Sequence, residues 1–102
     1  MENKVDLDVL VIENETVCAK CCKTVQLIDR MMEELPELKK NINLTYHDLN
    51  SQDVTNKFGK LEGPVILINH IIFSEGHVPI MKKLVKSLQD NIANSFTGHI
   101  MN

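Results

Sequence analysis

Cys18-Ala19-Lys20-Cys21-Cys22 holds every cysteine of the 102-residue chain within five consecutive positions. It follows the apolar run Val9-Leu10-Val11-Ile12 and the polar loop Glu13-Asn14-Glu15-Thr16, and it opens a helical pattern. A continuous apolar run of this kind suits a strand covered on both faces. Thiols at i and i+3 across the first turn of a helix lie within bonding reach, since a disulfide needs Cα atoms about 4.4–6.8 Å apart. Unpaired N–H groups and the positive end of the helix dipole favour a thiolate there. The stretch therefore points to sulfur chemistry at a strand-to-helix junction.

Downstream, Cys21, Val25, Ile28, Met32 and Leu35 repeat at intervals of 4, 3, 4 and 3, which predicts a helix over about 20–35 with one buried face. Pro36 marks its end, because the residue before a proline avoids helical geometry. The same stripe sorts the thiols. Cys21 joins the buried line, Cys22 falls with Gln26, Asp29 and Glu33 on the wet face, and Cys18 precedes the helix as the exposed member.

Strand Val5 to Ile12 comes before this helix, and Asn41 to Asp48 alternates as a second strand through Ile42, Leu44 and Tyr46. Ser51 or Asp53 caps a short helix ending at Gly59, with Val54 and Phe58 inward. Val65 to Ile68 and Ile71 to Phe73 form a hairpin about Asn69-His70. After Gly76 and Pro79 a last helix buries Met81, Leu84, Val85, Leu88 and Ile92. Residues 1–93 are expected to make one domain, and 94–102, which lack a clear period, a loose tail. The order β-α-β-α-β-β-α predicts an α/β fold with a four-stranded mixed sheet flanked by three helices.

Composition narrows the function. Hydrophobic residues are 43% and charged residues 25% of the chain, as in ordinary globular domains, and the net charge of -3 gives no case for nucleic acid or an anionic membrane. The N-terminus lacks the layout of a signal peptide, and no apolar run approaches the roughly 18 residues of a membrane span. A cytoplasmic location is the expectation, and in a reducing compartment clustered cysteines are catalytic or metal-binding rather than structural.

With these features the sequence resembles the thioredoxin fold over residues 5–90, and within it the small glutaredoxin-like proteins called redox-active disulfide proteins. The resemblance rests on the CxxC after the first strand, the proline opening the third strand, and Ser74-Glu75-Gly76-His77-Val78-Pro79 before the last helix. It implies thiol–disulfide exchange with Cys18 as nucleophile and Cys21 as resolving thiol. It also implies a cis bond before Pro64, packed against the cysteines, with Gly63, Pro64 and Val65 receiving a substrate chain. Ala19 stands where the family often has proline, and Gly63 where it tends to have threonine. Ile12 falls where thioredoxins keep a buried acid, and Glu13 and Glu15 are weak substitutes.

No cofactor is called for. The partners implied are a protein or small-molecule disulfide and an electron donor that the residues do not name. The alternative reading is capture of arsenic(III), copper(I) or zinc by Cys18, Cys21 and Cys22, three soft ligands on adjacent turns. Cys22 is expected to be a bystander, and His47, His70, His77 and His99 to be scattered surface or turn residues.

Overall fold

The computed structural model describes residues 4–12 and 19–97. The elements run β1 (Val5–Val11), α1 (Ala19–Glu34), α2 (Pro36–Lys40), β2 (Ile42–Asp48), α3 (Gln52–Phe58), β3 (Val65–Ile68), β4 (Ile71–Glu75) and α4 (Met81–Thr97). The strands form one sheet in the order β2-β1-β3-β4. β1 lies parallel to β2 and antiparallel to β3, and β3 lies antiparallel to β4. This is the expected four-stranded mixed sheet.

Alternation along β1 divides the core. Val5, Leu7, Val9 and Val11 face α1 and α4, where they pack with Cys21, Ile28, Met31, Leu84 and Leu88. Leu10 points to the opposite face and joins Val54, Val65, Leu67 and Leu49 beneath α3. The opposite-face positions nearer the start of the strand are Asp6 and Asp8. Only the second half of β1 is therefore apolar on both sides, and only there does a helix cover the second face.

Two differences from the expected helices have local causes. Pro36 ends α1 as anticipated, with Leu35 at φ -126 and ψ 72, but it also occupies the first turn of a further short helix, α2. A proline at that place gives up only an N–H that would be unpaired in any case, and its fixed φ suits a helix start. Leu38 of α2 is buried, so the segment adds to the core instead of merely connecting. The described residues thus form four helices where three were expected. At the other end α4 continues through Thr97, beyond the periodic pattern that stops at 93; 98–102 lie outside the described residues.

Within α1, burial falls on Cys21, Thr24, Ile28, Met31 and Met32, with Val25 and Leu35 only half-buried. Thr24 is not on the apolar stripe. It tolerates burial because its hydroxyl donates to the Lys20 carbonyl at 2.8 Å. Ser51 caps α3, its Oγ accepting from the Val54 N–H at 3.3 Å. Asn69 and His70 both take positive φ, 50 and 70, as the tight hairpin turn requires.

β2 is tied to α1 by a polar contact as well as by packing. The Tyr46 hydroxyl donates to Asp29 Oδ1 at 3.2 Å. Burial, and then the neighbouring Asp29 carboxylate, push the Tyr46 phenol up to about 12. Because the folded value lies above the ordinary value of 10.0, this group's contribution to stability is present below pH 10.0 and is lost as pH rises through about 12. Absorbance titration of the single tyrosine is expected to show phenolate only near pH 12 in the folded protein. Asp29→Asn is expected to bring the midpoint part of the way back towards 10.0, the burial contribution remaining. An unchanged midpoint in that variant would show that the carboxylate has no influence on the phenol.

Candidate functional site

The site forms at the C-terminal end of β1, where α1 starts. β3 begins at the same end, since Val65 pairs with Leu10, and β4 finishes there, since Glu75 pairs with Val65. Gly63-Pro64, Gly76 and the approach to α4 are therefore brought to the first turn of α1 by sheet register alone.

Cys21 is 1% exposed and belongs to the main core cluster, as its place on the apolar stripe predicts. It is disulfide-bonded. Its sulfur also accepts the Ile12 N–H at 3.4 Å. Cys22 is a free thiol, half-buried rather than fully on the wet face. Cys18 lies outside the described residues, as do Glu13 and Glu15. Among the described residues, no group of three or more histidine, cysteine or acidic side chains is placed to hold a metal ion.

Gly63 closes the site from the side of β3. A Cβ at this position would stand 3.3 Å from Cys21 Sγ, a tight contact, and 2.7 Å from Leu49 Cδ2, the outer end of a flexible side chain. The following Gly63–Pro64 peptide bond is cis, and Pro64 is buried. The Pro64 carbonyl accepts from the Gly76 N–H at 2.9 Å. Val65 is fully buried and paired on both sides, with Leu10 and Glu75. Of these three residues only Gly63 has a backbone N–H and C=O without a hydrogen-bond partner among the described residues.

Lys20 reaches across the mouth, its Nζ donating to the Gly76 carbonyl at 3.3 Å. Gly76 takes φ 81, a conformation that glycine adopts without strain, and so turns the chain from β4 towards α4. His77 is exposed on this rim, its ring Nδ1 3.2 Å from the Val78 carbonyl.

The remaining histidines are less scattered than the sequence implies. His47 Nε2 lies 2.8 Å from Asp8 Oδ1, and His70 Nε2 lies 3.4 Å from Asp6 Oδ2. They sit on the opposite face of the sheet from Cys21 and take no part in the thiol site. The alternation of Asp6 and Asp8 with Val5, Leu7 and Val9 is the signal that could have found them, since it marks one polar face of a central strand. His99 lies outside the described residues.

The sequence matches no protein-family model, and no curated protein sequence matches it significantly. Solved structures do resemble it. Thioredoxin from Fasciola hepatica superposes with a TM-score of 0.64 at 10% identity, over 88% of this chain and 83% of that one. Thioredoxin-2, described as a component of the malaria parasite's protein secretion machinery, gives 0.66 at 20% identity, over 88% and 85%. The chain has a thioredoxin-like fold. No helix among the described residues is long and apolar enough to cross a membrane.

Gly63→Ala tests the close approach. Gly63 does not need a positive φ, so the alanine acts through space alone. Overpacking against Leu49 and the Cys21 sulfur is expected to cost about 1–3 kcal/mol in denaturant unfolding of the disulfide form. A variant as stable as the parent would show that Gly63 can move away from the sulfur.

Proposed function

We propose that the protein is a small dithiol–disulfide oxidoreductase in which Cys18 attacks and Cys21 resolves. The observation that carries this reading is the buried, disulfide-bonded Cys21 in the first turn of α1, with Gly63, the residue before the cis Pro64, close to its sulfur. Cys18 is its proposed partner, three positions earlier at the helix start.

In the reducing direction the Cys18 thiolate attacks one sulfur of a substrate disulfide. The new S–S bond joins Cys18 to the substrate, and the other substrate sulfur leaves as a thiolate that takes up a proton. Cys21, deprotonated, then attacks Cys18 Sγ, which forms the intramolecular disulfide and releases the second substrate thiol. Two electrons have passed to the substrate, and a thiol or dithiol donor restores the reduced protein. Lys20 and Lys23 are both exposed near the helix start and favour the attacking thiolate modestly through water. Burial keeps Cys21 from attacking first.

The Ile12 N–H donates to the Cys21 sulfur, and Ile12 occupies the place where thioredoxins keep a buried acid. This feature supports the glutaredoxin-like subfamily over a true thioredoxin. The amide and carbonyl of Gly63, without a hydrogen-bond partner among the described residues, suit main-chain pairing with an extended polypeptide, which favours a protein disulfide as substrate. A cytoplasmic site of action fits the free thiol of Cys22.

Single-cysteine variants assayed for disulfide reduction test the assignment. Cys18→Ser is expected to fall to the uncatalysed rate. Cys21→Ser is expected to accumulate a mixed disulfide on Cys18, visible by mass spectrometry, while Cys22→Ser keeps near-parental activity. Full activity in Cys18→Ser with loss in Cys22→Ser would overturn the roles of nucleophile and bystander.

A further inference from the structure

On the face of the sheet away from Cys21, a cavity of about 690 Å³ opens between α3 and the strands. This volume lies in the range that encloses small organic ligands, about 300–1,000 Å³. Leu10 and Leu67 of the sheet and Val54 and Phe58 of α3 give it an apolar floor. Asp8, His47 and His70 form one wall, and Asp53, Asn56 and Lys57 of α3 form the other. We propose that this cavity binds a small organic cation, with an apolar body against the floor and an amine or amidine head at Asp8.

The charge of the walls selects the head group. Asp8 and Asp53 bring two carboxylates, against Lys57 as the one permanently cationic side chain of the lining. Asp8 is the inner member, its side chain only 19% exposed. One of its oxygens, Oδ1, is held by His47 Nε2 at 2.8 Å. The other, Oδ2, lies 3.9 Å from His70 Nδ1, beyond hydrogen-bond reach, so it keeps acceptor capacity towards the cavity.

A solvated strand face would account for acids at Asp6 and Asp8. It would not account for Asp8 being largely shielded beside an apolar floor. A carboxylate withdrawn from water in this way interacts more strongly with a paired cation than a surface one does. Planar amidinium heads match a carboxylate with two parallel N–H donors, and an aromatic or aliphatic body fills space over Leu10, Leu67 and Phe58. The site uses neither the cysteines nor Gly63, so it stands or falls independently of the proposed redox reaction.

Benzamidine is a suitable probe, with benzamide as its neutral isostere and benzoate as its charge-reversed counterpart. In amide-resolved NMR titrations of the full chain, benzamidine is expected to give saturable shifts at Asp8, Leu10, Val54, Lys57 and Leu67, with affinity on the order of millimolar for so small a molecule. Benzamide is expected to bind more weakly, and benzoate to leave these amides unmoved. Asp8→Asn is expected to weaken benzamidine by roughly tenfold or more, the worth of one charged hydrogen bond. Asp53→Asn, at an exposed position of α3, supplies a second variant should loss of the His47 contact disturb folding; it is expected to weaken binding by a smaller factor. The absence of saturable shifts, equal response to benzoate, or unchanged affinity in the charge variants would each overturn the proposal.

Discussion

Everything in this fold hangs on the double commitment of β1. It is the one strand that pairs with a parallel neighbour on one side, β2, and an antiparallel neighbour on the other, β3. A strand so placed has its backbone donors and acceptors spent within the sheet, so it can leave the sheet only at its ends. The chain emerges from its C-terminal end into the cysteine segment. In open α/β sheets this is the kind of place where chemistry collects, because helices on opposite faces diverge there and leave a crevice. Here α1 and α4 cover one face and α3 the other.

The same strand explains why the two faces differ in character. Towards α1 and α4 it presents valines and a leucine along its whole length, and a continuous core results. Towards α3 it presents Asp6 and Asp8 before Leu10. A seven-residue helix is enough to cover the apolar half of that face, and the acidic half is left open. The thiol site and the cation cavity are therefore products of one residue pattern, read on opposite sides of the sheet.

At the thiol site the governing fact is the absence of room. Cys21 is buried in the core, a side chain at Gly63 would crowd its sulfur, and the Gly76 turn is pinned to both Pro64 and Lys20. Three segments far apart in the chain thus fix the surroundings of one sulfur atom. The Ile12 amide, just past the end of β1, donates to this sulfur.

Much of this was legible in the residues. The 4-3 spacing in α1 placed Cys21 in the core, the continuous run in β1 marked a strand covered twice, and Asn69-His70 marked the hairpin. These are local signals, set by side-chain periodicity and by the few residues that accept positive φ. Residue order alone also determined the mixed α/β arrangement and confined the sulfur chemistry to one helix start. Four features lay beyond it. Pro36 both stops and starts a helix, and which role dominates depends on whether Leu38 finds a core to enter. The burial of Thr24 depends on a hydroxyl bond to its own helix. The closeness of Gly63 to the Cys21 sulfur depends on the register of β3 against β1. Likewise, His47 reaches Asp8 and His70 reaches Asp6 only because β2 and the β3–β4 turn flank β1. Periodicity tells which face a side chain takes; which strand lies beside it is decided by pairing across the sheet, and that belongs to tertiary structure alone.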